Sequence, residues 1–313
     1  MSIRKTFSIV LVAALAAFGA EGRQLKVLAI GNSFSRSLMA ELPKAAAAFP
    51  DCELDIANMF IGGCTLDRHW ANVERAETNA LYRPYEITAS YAFDKRDFPK
   101  RANIQEMLKA DRWDVVTIQQ GSVKSAFAET YQPFADKLIG KIRELAPQAE
   151  IRIHQTWSYS PYSGRLAKWK LTQETMFVQI REAYAKLAAQ HGFKVIPVGE
   201  AVRLYRERLP VKYGKVLSPE EVAALEEPAT IDFCGDVVGN SSWTKDKKSG
   251  RRMLKVDSIH LNKGGQYLQA CVWLAALFDA DVRALKYEPK IDGFAEKARL
   301  MRECAATAVG SGK

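Results

Sequence analysis

The chain has 313 residues, 48% hydrophobic and 26% charged, with 14 Phe, 11 Tyr and 6 Trp. This is the composition of a folded globular protein and excludes a disordered, collagen-like or coiled-coil chain. The formal net charge of +9 suits an anionic partner, but excess Lys and Arg also serve simply to keep a surface soluble. The five Cys include no C-x-x-C pair and are too few for a disulfide scaffold.

At the start of the chain, Arg4 and Lys5 precede an apolar run over 7–20, about 14 residues where a membrane span needs roughly 20. Ala17, Gly19, Ala20 and Gly22 are the small residues around its exit. A basic start, apolar middle and small-residue exit read as a secretory signal peptide over 1–22; an uncleaved anchor or a buried first helix are the other readings. The expected location of the mature chain is periplasmic or secreted, with no stable membrane insertion. Cysteines 52, 64, 234, 271 and 304 leave at least one unpaired. Cys52 and Cys64 are a candidate pair in an oxidising compartment, and sequence alone does not decide it.

The next segments alternate. Strands are predicted at 25–30 (LKVLAI), 53–59, 113–118 (WDVVTI), 150–156 and 194–197, with 87–93 either a strand or an excursion. Helices are predicted at 35–48, 66–77, 102–110, 133–145, 166–190 (closed by Gly192), 200–208 and 263–277, the last of them. Strands alternating with helices make βαβ units and a mostly parallel sheet of about five strands, with right-handed crossovers placing helices on both faces. One α/β domain over 23–313 is expected, interrupted by an insertion at about 209–256 that carries SPEE, DFCGD, GNSSW and the basic run KDKKSGRR. The basic run reads first as a solvated loop.

In an open α/β sheet, ligands bind beyond the carboxyl ends of the strands. The residues there are Gly31-Asn32-Ser33-Phe34-Ser35, Gly62-Gly63-Cys64-Thr65, Gln119-Gln120-Gly121-Ser122, the aromatic loop of Trp157, Tyr159 and Tyr162, and Asp257-Ser258-Ile259-His260. A serine at a strand-to-helix turn more often caps the helix. It is also well placed as a nucleophile, because the turn exposes its hydroxyl near unpaired N–H groups. It needs a base, and of the four His only His260 has an acid three residues earlier. Asp257 at that spacing can hold the imidazole's tautomer and stabilise the imidazolium. His154 reads as a structural histidine inside a strand. No metal-ligand spacing appears, and no cofactor motif.

Taken together, GNSF after the first strand, IGGCT after the second and DSIHLNKGGQYL before a terminal helix resemble the SGNH (GDSL-type) hydrolase superfamily. With WDVVTIQQGS and HQTWSY they look like a group of secreted bacterial members of it. The resemblance implies a flavodoxin-like three-layer α/β/α sandwich and hydrolysis of an ester, often an acyl group on a carbohydrate. It implies Ser33 as nucleophile, His260 as base, Asp257 as its partner, and the backbone N–H groups of Ser33 and Gly63 in an oxyanion hole. The family's third block, Gly-x-Asn-Asp, is replaced here by Gly121-Ser122-Val123-Lys124. An amide from Gln120, or else Gln119, is expected to stand in for the missing Asn. Trp157 as a sugar platform, with Asn32 and Gln119 beside it, are the candidate substrate contacts. The expected function is a serine esterase removing an O-acetyl group from a carbohydrate, without cofactor. The expected partner is a small-molecule or polysaccharide ester and not nucleic acid; the oligomeric state is not legible. A non-catalytic glycan-binding protein, an acyltransferase or lipid esterase of the same superfamily, and a flavodoxin-like phosphate binder are the alternatives.

Overall fold

The computed structural model describes residues 23–310 except 211, 212, 214, 215 and 248; the expected signal peptide lies outside the described residues. The strands are β1 (Arg23–Gly31), β2 (Cys52–Phe60), β3 (Tyr85–Ser90), β4 (Arg101–Ala102), β5 (Val115–Ile118), β6 (Glu150–His154), β7 (Lys194–Ile196), β8 (Val238–Lys245) and β9 (Arg252–Leu261). The helices are α1 (Ser33–Arg36), α2 (Leu42–Ala47), α3 (Leu66–Thr78), α4 (Ile104–Ala110), α5 (Phe134–Leu145), α6 (Gly164–Trp169), α7 (Gln173–His191), α8 (Val198–Arg208), α9 (Pro219–Ala223), α10 (Lys263–Phe278) and α11 (Ala295–Gly310).

β1 through β7 form one sheet in the order β4-β3-β2-β1-β5-β6-β7. Its five strands β2, β1, β5, β6 and β7 are parallel, so counted alone they run 2-1-3-4-5, the flavodoxin-like doubly wound order. Val27, Leu28 and Ala29 of β1 are wholly buried, because helices cover both faces of the sheet and a parallel strand then needs a continuous apolar run. On one face α2, α8, α10 and α11 pack against one another; on the other, α3, α4 and α5 do. Since β1 lies between β2 and β5, its carboxyl end is the point where the winding reverses, and a crevice opens there.

The sheet has seven strands rather than about five. The stretch expected as a strand or excursion is β3, antiparallel to β2, and the two-residue β4 extends that edge. The helix expected over 35–48 is broken into α1, a 3-10 turn at Ser37–Ala40 and α2, which starts with Pro at its amino end. The helix expected over 166–190 is two: Lys170 turns left-handed at φ 56°, and Thr172 caps α7 afresh by accepting from the Thr175 N–H. The last helix is not over 263–277 but α11, which packs on α10 and α8. All five cysteines are free, so Cys52 and Cys64 are not paired. No helix among the described residues is long and apolar enough to cross a membrane.

β8 and β9 form a separate antiparallel hairpin. Its root is anchored by a buried ion pair: Arg206 Nε lies 3.0 Å from both Asp236 oxygens, and its Nη1 donates to Ser158 Oγ at 2.8 Å. Asn262 Nδ2 adds a bond to the Asp236 carbonyl at 2.8 Å.

Two fully buried imidazoles give the fold a built-in acid sensitivity. Burial pushes His154 and His69 down to about 3, whereas an unfolded histidine titrates near 6.5. Below about pH 6.5 the unfolded chain takes up these protons and the native chain does not, so stability falls as pH drops toward 3, by up to about 1.4 kcal/mol per pH unit for each histidine. Denaturant titrations from pH 7 to 4 are expected to show this slope, and His154→Gln to flatten it by about that single-histidine amount. An unchanged slope would show that His154 is protonated in the native protein.

Candidate active site

Ser33 follows β1 by one residue and opens α1. Asn32 caps that helix: its Oδ1 accepts from Phe34 N–H at 3.0 Å. The same side chain donates from Nδ2 to the Cys64 carbonyl at 2.9 Å and accepts from Gln119 Nε2 at 2.8 Å. One buried asparagine therefore pins together the loops after β1, β2 and β5. This corrects the expectation that Asn32 and Gln119 touch substrate. Asn32 is 1% and Gln119 2% exposed, and both amides hold loops.

Asp257 and His260 lie near the end of β9. Between the pairs Asn240↔Asp257 and Val238↔Leu261 the register shifts, and the extra residues on β9 form a bulge. Opposite it, Gly239 has φ 116°, and a Cβ there would sit 2.2 Å from the Phe233 ring, so only glycine fits. The bulge lets Asp257 Oδ1 accept from the Ile259 and His260 N–H groups, both at 3.0 Å. Its Oδ2 accepts from His260 Nδ1–H at 2.8 Å, and His260 Nε2 meets Ser33 Oγ at 2.9 Å. An ionised carboxylate only accepts, so the proton is on Nδ1 and the Nε2 lone pair faces the serine hydroxyl. Burial works against the Asp257 charge. The bonds from His260 and the two backbone N–H groups outweigh it and hold this carboxyl well below the usual carboxylate range.

The backbone N–H of Ser33, in the first turn of α1, has no acceptor among the described residues, nor has that of Gly63. Gly63 is exposed at φ 59°, with open space where a Cβ would be, and its neighbour Cys64 is the residue tied to Asn32. Both groups are therefore free to donate to a bound acceptor.

Gln120 does not join them. It is wholly buried, its Oε1 accepts from Leu66 N–H and Gly121 N–H, both at 2.9 Å, and its Nε2 donates to the Thr130 carbonyl at 3.1 Å. The expected oxyanion amide is thus a brace between the loop after β5 and the start of α3. Gln120→Ala is expected to cost about 2 kcal/mol or more, since it leaves two buried N–H groups unpaired. Its kcat on an ester should fall well short of the roughly 10²–10³ loss of a missing oxyanion donor. A loss of that size in a variant of unchanged stability would restore Gln120 to the hole.

Trp157 is not a substrate platform either. It is wholly buried, stacked on Phe34 with ring centroids 4.0 Å apart and planes 1° from parallel, and its Nε1 donates to the Ile259 carbonyl at 3.0 Å. It therefore grips the neighbour of Ser33 on one side and the neighbour of His260 on the other. Of the other loop aromatics, Tyr159 is buried and donates to Ser122 Oγ at 2.9 Å.

Sequence reasoning missed a cleft of ≈ 710 Å³ whose wall includes Asp257 and His260. Asn240, Asn262 and Gln266 line it, with Lys263, Lys290 and Lys297. Lys290 and Lys297 come from the stretch around the unexpected α11, and nothing in their local sequence marks them out.

Residues 26–209 match the family described as Domain of unknown function (DUF4886). The chain belongs to that family. A crystal structure of a DUF4886 family protein from Bacteroides uniformis ATCC 8492 is 26% identical, with 92% of this chain and 95% of that one covered and a TM-score of 0.71. More distant likenesses are Axe2, an acetylxylan esterase from Geobacillus stearothermophilus (13% identity, 86% and 97% coverage, TM-score 0.44), and a member of the lipolytic protein G-D-S-L family from Veillonella parvula DSM 2008 (13%, 82% and 100%, 0.42). No curated protein matches. In this DUF4886 chain the blocks that resemble SGNH hydrolases in sequence meet at the carboxyl end of one flavodoxin-like sheet. The SGNH resemblance thus extends from sequence to fold. The DUF4886 match ends at residue 209, so it contains Ser33 and Gly63 but not Asp257 or His260.

Proposed function

We propose that the chain is a serine esterase working through an acyl-enzyme, with an O-acyl group on a carbohydrate, acetyl foremost, as its substrate. The observation that carries this is the unbroken hydrogen-bonded relay Ser33–His260–Asp257. Ser33 Oγ attacks the ester carbonyl carbon while His260 Nε2 takes the hydroxyl proton, and Asp257 stabilises the resulting imidazolium. The carbonyl oxygen becomes an oxyanion facing the Ser33 and Gly63 N–H groups. The tetrahedral intermediate collapses, the bond to the alcohol oxygen breaks, and His260 returns its proton to that oxygen. Water, deprotonated by His260, then attacks the acyl carbon and releases the acid with Ser33 restored.

The carbohydrate assignment is supported by the cleft that Asp257 and His260 line, in which we place the departing alcohol. Beside its apolar residues, the amides and lysines of its lining suit a hydroxyl-rich alcohol better than a fatty one. The test is treatment of the protein with a fluorophosphonate, together with release of acetate from 4-nitrophenyl acetate and from acetylated polysaccharides. Labelling of Ser33 and acetate release in parallel are the expected result. A folded protein that neither labels nor releases acetate would overturn the reading and leave a glycan-binding protein on the same fold.

A further inference from the structure

We infer that the cleft beside His260 selects acidic substrates: the alcohol half of the ester is a glycan carrying carboxylates close to the acylated hydroxyl. This rests on the esterase reading of Ser33 and His260 and adds the chemistry of what they act on.

Three observations point there. First, the cleft begins at the catalytic pair itself, since His260 and Asp257 form part of its wall. A group bound in it therefore lies against His260 and Asp257.

Second, its charges are unbalanced. Asp236 is buried in its pair with Arg206, and Asp257 is bonded to His260, which leaves Asp292 as the remaining carboxylate of the lining. Lys263, Lys290 and Lys297 are all exposed, and none has an acidic partner among the described residues.

Third, the lining includes Tyr205, wholly buried, whose hydroxyl has no hydrogen-bond partner. A buried phenol left unpaired is costly unless a bound polar group satisfies it. Phe294, Ile291 and Met301 complete an apolar lining of the kind that takes the face of a sugar ring, with the lysines around it to meet carboxylates.

The experiment separates binding from turnover. Calorimetric titration of the full-length protein with trigalacturonate, which carries carboxylates but no ester, is compared with xylotriose, a neutral sugar of the same length. The acidic trisaccharide is expected to bind about tenfold more tightly, from three exposed pairs of ordinary strength. That advantage should vanish in Lys263→Gln/Lys290→Gln/Lys297→Gln and shrink steeply at about 0.5 M salt. In hydrolysis, the ratio of kcat/KM on acetylated polygalacturonate to that on acetylated xylan should fall by a similar factor in the triple variant. Equal binding of the two trisaccharides, or a preference that survives loss of the lysines, would overturn the inference even with the esterase fully active. Preferential binding without hydrolysis of any ester would uphold the acidic cleft and overturn the esterase reading. Tyr205→Phe, which keeps the ring and removes an unpaired buried hydroxyl, should raise the stability of the unliganded protein and weaken trigalacturonate.

Discussion

Ser33→Ala is expected to lower kcat for ester hydrolysis by about 10⁴–10⁶, with KM little changed and the fold intact. The side chain is half-buried, makes its bond to His260 Nε2, and does not cap α1, a task that belongs to Asn32. Removing the hydroxyl therefore costs the nucleophile without unmaking a turn. His260→Ala should lose nearly as much, and the double variant little more than either single one, because the two groups act as a unit. Asp257→Asn is the more informative companion. The amide would present a donor to Nδ1, favour the wrong tautomer and lower kcat by about 10⁴. Single-turnover kinetics on an aryl acetate check all four. Activity of Ser33→Ala within about tenfold of the parent would end the acyl-enzyme mechanism, since what the backbone N–H groups and binding retain without the nucleophile is far smaller.

Trp157→Ala is expected to cost about 3–5 kcal/mol of folding stability, as large-to-small changes at buried aromatics do. The ring is wholly enclosed, flat against Phe34 and bonded to the Ile259 carbonyl, so truncation leaves a void under both Ser33 and His260 and an unpaired buried carbonyl. The same variant should lower kcat well before it unfolds, because the two residues whose neighbours Trp157 holds must keep a 2.9 Å contact. Trp157→Phe keeps the stacking face but not the donor. It should recover most of the stability and only part of kcat. Urea midpoints and kcat at low denaturant separate the two effects. A Trp157→Ala protein of normal stability with a raised KM for glycans alone would instead mark the ring as a sugar contact.

The five parallel strands were legible because they alternate with helical stretches, and LKVLAI and WDVVTI, apolar runs ended by Gly31 and by Gln119-Gln120, pair directly in the structure, as β1 and β5. The meeting of Ser33, His260 and Asp257 was legible for a similar reason: residue types suited to a nucleophile, a base and its partner stand at strand ends. What stayed hidden depends on who the neighbours are. Gln120 and Gln119 are both amides after β5. One braces Leu66 and the other Asn32, and only the packed loops reveal that neither is free. Trp157 sits in a loop rich in aromatics, and exposure versus enclosure there is set by Phe34, more than a hundred residues away. The break at Lys170 needed a left-handed residue that composition does not forbid, and α11 follows a polar, weakly periodic stretch.

His260 and Asp257 ride on a hairpin that shares no strand pairing with the sheet that ends beside Ser33. Their position is set at one end, by the bulge opposite Gly239, the Trp157 and Ser160 bonds to the Ile259 and Ser258 carbonyls, and the Arg206–Asp236 root. The other end, where Asp246 turns the chain back to Arg251, points away from all of these anchors. Relatives can therefore lengthen, shorten or recharge that tip over evolutionary time while the reaction's geometry stays fixed, and a laboratory graft at the tip should be tolerated in the same way.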